Sequence, residues 1–301
     1  VEPRGNLVLV TGASGFIGAR VVRRLVAEGA RVRAIVRRQD AADELAREGV
    51  EPIVGELANP SDLHAAVQGA VAVVHVAATG TEDRTEAKRI NTEATALLAE
   101  AALAAGCERF VHISSIIVHD LEGREVVDEE TPLIASDSER ASAYAATKAD
   151  GDRAIFRAID LGLRAVILRP GAVLGAHPTS TWGNLTPRAI AAGQFPLVAG
   201  GQGTLPYVHV ENFVDAVLAA LRLDAAVGQA FNIIDGQTTW GRFADVFRKG
   251  SLPPAPDNPA LAFFAFRGSF SSEKARRILG YAPTRTFDEA MAETIAFIGG
   301  S

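Results

Sequence analysis

The segment "VLVTGASGFIGARVVRRL" (residues 8–25) restricts the fold more than any other part of the chain. A β-branched run leads directly into glycines at 12, 15 and 18, and an amphipathic stretch follows. Glycines three apart are weak evidence alone; their position between a strand and a helix gives them meaning. In that setting Gly12 permits the tight turn, Gly15 lets backbone approach a pyrophosphate, and Gly18 lets helix lie close on strand. The helix N-terminus then favours an anion. Ser14, Phe16 and Ile17, inside the same turn, are the neighbouring contacts expected for such a ligand.

Alternating patterns continue downstream. Residues 31–36, 70–76, 109–114 and 164–169 are apolar along most of their length, as parallel strands buried on both faces should be. Between them, 19–29, 41–49, 92–106 and 141–162 read as helices, several ending at glycine. This is the pattern of an α/β, Rossmann-type doubly wound parallel sheet. After residue 171, Gly, Pro and Thr interrupt the pattern, although 210–223 and 229–234 still read as helix and strand. We therefore expect a dinucleotide-binding domain at 1–170, with 207–234 returning to it. Residues 171–206 and 235–301 should form a smaller C-terminal substrate-binding domain. Residues 250–269, Pro-rich and then aromatic, are expected to act as a lid.

Composition narrows the function. The net charge of −6 argues against nucleic-acid binding. No apolar run reaches the roughly 18 residues of a membrane span, and a strand-like run from residue 6 leaves little room for a leader. Cys107 is the single cysteine, so no intramolecular disulfide can form and a reducing cytoplasm is the expected location. The six histidines lack metal-ligand spacing, and no metal is expected. His75 and His112 read as core residues, and His209 as a local structural one.

Two further patterns point to chemistry. The second strand ends "AIVRRQD", with Arg37 and Arg38 where an NAD site would offer a carboxylate to the ribose. Guanidiniums suit a 2′-phosphate, so NADP is the expected cofactor, with NAD as the alternative. The second pattern is "YAATK", which puts Tyr144 and Lys148 on one helical face. With three tyrosines and four lysines in the chain, that spacing should arise by chance roughly 0.04 times. A phenol must gain about 4 kcal/mol of phenolate stabilisation to titrate near neutrality. A neighbouring ammonium and an oxidised nicotinamide ring are the expected sources. Upstream, Ser114 and Ser115 end a strand where a hydroxyl can meet a substrate carbonyl; residue patterns alone do not choose between them.

Together these segments resemble the extended short-chain dehydrogenase/reductase superfamily, the NAD(P)-dependent epimerase/dehydratase group. "VVHVAA", "INTEAT", "HISSIIV", "LRPGAVLG", "YVHVENFVDAV" and "SSEKARRILGYAP" follow in the matching order. The resemblance implies catalytic roles for Ser115, Tyr144 and Lys148. It also implies cofactor contacts at Glu56, Leu57, Ala77, Ala78, Thr79, Asn91, Ile113, Pro170, Gly171 and Val173, and a homodimer formed through helices near 92–106 and 141–161. Sugar-nucleotide dehydratases of this type carry an acid pair where Ile116 and Ile117 stand, which argues against dehydration. Nucleotide-sugar epimerases usually place an arginine where Leu205 stands. "VRAIVRR" looks like the branch of dihydroflavonol reductases and 3β-hydroxysteroid dehydrogenase-like proteins, and aromatic 258–270 suits a hydrophobic substrate. The expectation is an NADP(H)-dependent oxidoreductase reducing a carbonyl of a small hydrophobic molecule, or oxidising the alcohol. The alternatives are a nucleotide-sugar epimerase with tightly held NAD(P), and a non-catalytic dinucleotide-sensing protein.

Overall fold

The structure, a computed structural model, describes residues 1–300. Its strands are β1 (Leu7–Thr11), β2 (Arg31–Val36), β3 (Glu51–Val54), β4 (Ala72–His75), β5 (Arg109–Ile113), β6 (Val126–Val127), β7 (Ala165–Pro170), β8 (Ala172–Leu174), β9 (Thr204–His209), β10 (Ala230–Ile233), β11 (Gly236–Thr239) and β12 (Ser269–Phe270). The first helices are α1 (Phe16–Ala27), α2 (Gln39–Arg47), α3 (Pro60–Val67), α4 (Arg84–Lys88), α5 (Ala94–Ala104) and α6 (Ala143–Asp160).

Seven strands form one parallel sheet in the order β10-β7-β5-β4-β1-β2-β3. From β1 the chain winds outward through β2 and β3, then crosses back to β4 and winds the other way. The reversal leaves a crevice beyond the C-terminal ends of β1 and β4, where doubly wound sheets hold ligands. The two-residue period of a strand divides the core. Val8 and Val10 of β1 face a layer containing Val21, Val22 and Leu25 of α1 and Phe213 of helix Val210–Arg222. Leu7 and Leu9 face the opposite layer, with Leu63 of α3, Leu98 of α5 and Ile155 of α6.

Among the elements that escape the sequence reading, two adjoin the main sheet's edge. Edge strand β3, "EPIV", is half exposed and contains a proline, so neither apolar continuity nor strict alternation marks it. Helix α3 follows it, opened by Asn59 accepting from the Ser61 amide and by Pro60 in the first turn.

Two smaller sheets are also present: β11-β9-β8, built beyond β7, and β12-β6, which joins a strand lying between β5 and β7 to one near the C-terminus. The core around the first gathers Leu174, Leu205, Trp240, Phe243, Phe247, Phe287 and Met291, and Val127 and Phe270 of the second pack with Ile116 and Ile234. The expected lid belongs largely to this packing. Phe264 lies 4.8 Å from Trp240, and Phe263 and Phe266 lie 5.9 and 5.2 Å from Phe270. The Thr204 amide donates to the Phe266 carbonyl at 2.6 Å. A Cβ at Gly203 would stand 2.0 Å from the Phe264 carbonyl oxygen, so this segment is fastened to its framework. The charged loop at 122–132, which reads as solvated, is also partly built in. Val127 is buried, and the Glu129 carboxylate accepts the Asn232 amide at 2.8 Å. Among the described residues no helix is long and apolar enough to cross a membrane, and no metal-binding cluster occurs.

The glycines of the first turn are not equivalent. A Cβ at residue 18 would lie 2.0 Å from the Gly12 carbonyl oxygen, whereas one at residue 15 would lie 3.3 Å from it. Gly18→Ala should therefore cost about 3 kcal/mol or prevent folding, while Gly15→Ala should cost about 1 kcal/mol or less. Urea unfolding of the two variants measures the contrast.

Candidate active site

The crevice has two backbone walls. One is the turn from Thr11 into α1, with Gly12 at φ +68°. The other is the chain leaving β4, so close that a Cβ on Gly12 would meet the Ala77 amide at 2.9 Å. Helix α1 starts at Gly15 with no side-chain cap and no acid in its first turn, so its leading N–H groups are free to meet an anion. The Phe16 ring is directed inward, 5.8 Å from His177 and under Arg20, which leaves its backbone to face the crevice. Ile17 packs against the core, and Ser14 is exposed. These features fit the pyrophosphate of a dinucleotide.

A chain of neutral hydrogen bonds fixes the walls. The Ala77 amide donates to Thr11 Oγ1 at 3.2 Å, and Thr11 Oγ1 lies 2.7 Å from His75 Nδ1. His75 Nε2 reaches Thr95 Oγ1 at 2.9 Å, and Thr95 donates to the Asn91 carbonyl at 2.9 Å. Because Thr95 spends its proton on Asn91, His75 must donate from Nε2 and accept at Nδ1. Burial holds the His75 pKa well below the ordinary value, consistent with a neutral ring. Asn91 lies in a π-turn, fully buried, and exchanges hydrogen bonds with Thr79 while donating to Thr147 Oγ1 at 3.1 Å. Its amide thus braces the crevice wall against α6. Ala77, Ala78 and Thr79 line that wall with partial or full exposure.

At the far end of the crevice, Ser142 caps α6 by accepting the Ala145 amide. Tyr144 and Lys148 follow one turn apart. Ser114 and Ser115, indistinguishable by pattern, separate here. Ser114 is buried beside the Asp152 carboxylate, and Ser115 lies beside the Tyr144 phenol. Lys148 is 1% exposed and donates from Nζ to the Ile113 carbonyl at 2.7 Å, leaving two of its three donors unspent. Burial lowers its pKa to about 8, and Asp152 opposes that shift.

The expected acidification of Tyr144 is absent from the protein alone. Burial pushes the phenol above its ordinary range, against the hydrogen bond with Ser115 and with the help of Asp152. The Lys148 ammonium is engaged with Ile113, so stabilising the phenolate needs a further positive charge in the crevice.

Asp152, which the sequence reading passed over, lies one turn beyond Lys148 and is fully buried. Arg169 Nε donates to its Oδ2 at 2.8 Å, and His112 Nε2 stands 3.5 Å from Oδ1. Its carboxyl stays well below the usual carboxylate range: burial opposes this, but the Arg169 guanidinium outweighs burial with help from His112 and Ser114. Burial also lowers His112 and His119 to about 4.

The remaining expected contacts are spread along the sheet edge. Glu56 is exposed, with its amide donating to Asp62, and Leu57 packs on the lower core. Pro170, Gly171 and Val173 are buried where β7 passes into β8, and a Cβ on Gly171 would meet the Pro206 carbonyl at 2.6 Å. Arg37 follows β2, exposed, whereas Arg38 is turned onto Asp40 in a two-bond pair of 2.8 and 2.9 Å. Trp182 packs 5.1 Å from Trp240, and Asn184 donates to the Pro178 carbonyl at 2.7 Å, so both serve local structure.

A glycine cradle at the switch point of a doubly wound sheet, with Ser, Tyr and Lys gathered beside it, defines a dinucleotide-dependent enzyme of the oxidoreductase kind. Comparison with known proteins agrees. The model of the NAD dependent epimerase/dehydratase family matches residues 8–233. A 4-hydroxy-2-methyl-3-oxo-4-farnesyl-3,4-dihydroquinoline-1-oxide ketoreductase of Stigmatella aurantiaca is 29% identical, covering 94% of this chain and 93% of its own. A 3-beta-hydroxysteroid dehydrogenase of Mycolicibacterium neoaurum is 28% identical, covering 96% and 90%. The fold is shared with a dTDP-glucose 4,6-dehydratase of Streptomyces venezuelae solved with NAD bound, at TM-score 0.80 and 23% identity, covering 98% and 97%. The chain belongs to the NAD dependent epimerase/dehydratase family.

The buried histidines make acid stability testable. Their folded pKa values lie below the unfolded value near 6.5, so between about pH 4 and 6.5 the unfolded chain binds more protons. Stability is therefore lost as pH falls through that window, by about 2 kcal/mol per histidine between pH 7 and pH 5. Urea unfolding at both pH values should show this loss, and His119→Gln should reduce it by about one histidine's share.

Proposed function

We propose that the protein is an NADP(H)-dependent oxidoreductase that reduces a carbonyl of a small hydrophobic substrate, or oxidises the corresponding alcohol. The observation that carries this reading is the placing of Ser115, at the C-terminal end of β5, beside the Tyr144 phenol, with Lys148 one turn further along α6. Bound, the dinucleotide supplies or takes the hydride. Ser115 holds the substrate oxygen by a hydrogen bond, and Tyr144 gives that oxygen its proton from the phenol hydroxyl. The two unspent donors of Lys148 suit the ribose hydroxyls. Gly12, Gly15 and Gly18 cradle the pyrophosphate with the leading amides of α1, and Arg37 meets the 2′-phosphate.

Several features support a hydrophobic substrate over a sugar nucleotide. Ile116 and Ile117 follow Ser115 in place of an acid pair, and Leu205 is fully buried in the C-terminal core, away from any diphosphate. A recess of about 640 Å³ lies between the approach to α6 at Ser138–Arg140 and residues 256–265. Pro256, Pro259, Leu261 and Ala265 line it together with the charged Glu139, Arg140 and Asp257, so it would take a molecule with both apolar and polar parts. The similar chains named as a ketoreductase and a steroid dehydrogenase favour the same direction. A homodimer formed through α5 and α6, in the cytoplasm, completes the reading.

Tyr144→Phe should lower turnover of a hydrophobic ketone by about a hundredfold or more while changing NADPH affinity little; retained turnover would refute the role of Tyr144. Arg37→Ser should weaken NADPH binding by about tenfold or more and leave NADH binding unchanged. Fluorescence titration with both dinucleotides measures this, and NADH binding as tightly as NADPH to the unaltered protein would exclude the NADP assignment.

A further inference from the structure

Tyr144, Lys148 and Asp152 stand at i, i+4 and i+8 on one face of α6, and the last of them has no part in the chemistry above. Asp152 makes no ion pair with Lys148: its oxygens face Arg169 and His112, while Lys148 Nζ is bonded to the Ile113 carbonyl. Each element packed around Lys148 presents a titratable or charged group. Helix α6 gives Tyr144 and Asp152, β4 gives His75, β5 gives His112 and β7 gives Arg169. Both histidines are held neutral by burial, and the phenol is protonated. Asp152 is then the one anion among these groups, and Lys148 and Arg169 are the cations.

A buried ammonium without a nearby anion gives up its proton readily, because desolvation penalises its charged form. Asp152 is held by Arg169 of β7, whose Nε donates to Oδ2 at 2.8 Å, and neutral His112 of β5 stands 3.5 Å from its other oxygen. A carboxylate fixed in this way supplies a constant field one turn from Nζ without drawing the ammonium out of the crevice. We propose that Asp152 is a positioning residue: anchored by Arg169, it keeps Lys148 charged and free to bind cofactor as the medium becomes alkaline. The proposal rests on Lys148 being a cofactor-binding group, as in the function proposed above.

The test separates these two layers. The chain has four lysines, so 13Cε-lysine NMR can follow Lys148 in the cofactor-free protein, its resonance assigned by its loss in Lys148→Met. Lys148 should titrate at about pH 8 in the unaltered protein. In Asp152→Asn the midpoint should fall by roughly half a unit or more. The alkaline limit of NADPH binding, read by fluorescence, should move down with it. Asp152→Asn leaves Arg169 buried and unpaired, so the double variant Asp152→Asn/Arg169→Gln, which removes both charges, provides a second chain for the same measurements. Its fall should be smaller, because loss of the Arg169 cation raises the Lys148 midpoint and offsets part of the loss of Asp152. A Lys148 midpoint unchanged in whichever variants fold would overturn the proposal and leave Asp152 a purely structural residue. A midpoint that falls while the NADPH limit stays fixed would overturn the cofactor role of Lys148 and with it the functional half of the proposal. Failure of the unaltered protein to bind NADPH or NADH would instead strike the oxidoreductase reading, with the NMR titration still reporting the coupling.

Discussion

The backbone carbonyl of Gly12 occupies the space that a side chain at residue 18 would need, and this contact sets how closely α1 approaches β1. The free amides at the start of α1 are aimed across the crevice because the helix begins there, pressed onto the strand it follows. The opposite wall is equally constrained, since the Ala77 amide stands where a Cβ of Gly12 would be. Two missing side chains thus define the width of the cradle. The apolar layers on each side of β1 then hold that geometry rigid.

Polar groups inside the molecule follow two different principles. Around β1 and β4, neutral donors and acceptors are matched one to one from Ala77 through Thr11, His75 and Thr95 to Asn91, so nothing ionises and geometry is fixed cheaply. Around β5 and β7 the groups are charged: Lys148, Arg169 and Asp152 lie in the interior with a net charge of one positive. Burying such charges seldom adds stability. Its effect is to fix Asp152 and Lys148 along the face of α6 that carries Tyr144, while burial and the Asp152 charge keep the phenol itself protonated. The two regions meet at the stacked rings of His75 and His112, 5.4 Å apart.

Much of this arrangement was legible in the sequence because its signals are local. β2 coincides with its apolar run, and β1, β5 and β7 fall within a residue or so of theirs, since strands buried on both faces announce themselves by continuous apolarity. Helix α1 begins at Phe16, three residues before the periodic stretch starts, because its first turn is made of the glycine-rich loop. Long-range pairing was not legible. Asp152 reads as an ordinary helix-surface acid until Arg169 is seen across from it, and the choice between Ser114 and Ser115 depends on which way each faces after the strand ends. The aromatic run at 258–270 carries the same composition whether it covers a ligand or packs on Trp240, and only the neighbouring ring decides. The phenol acidity expected for Tyr144 is not reached by the protein alone for a related reason: helical spacing reports proximity to Lys148, while burial and the Ile113 carbonyl decide what that proximity does.

The outer strands of the main sheet also limit how copies of the molecule can meet. β3 is four residues long, carries Pro52, and has Glu51 paired to Arg33 at 2.7 Å. At the opposite margin, β10 is equally short, and its Asn232 amide is already taken by Glu129. Neither margin offers an unbroken ladder onto which a foreign strand could add. Continuous sheets across two molecules, and the runaway polymerisation that such joining invites, are thereby discouraged.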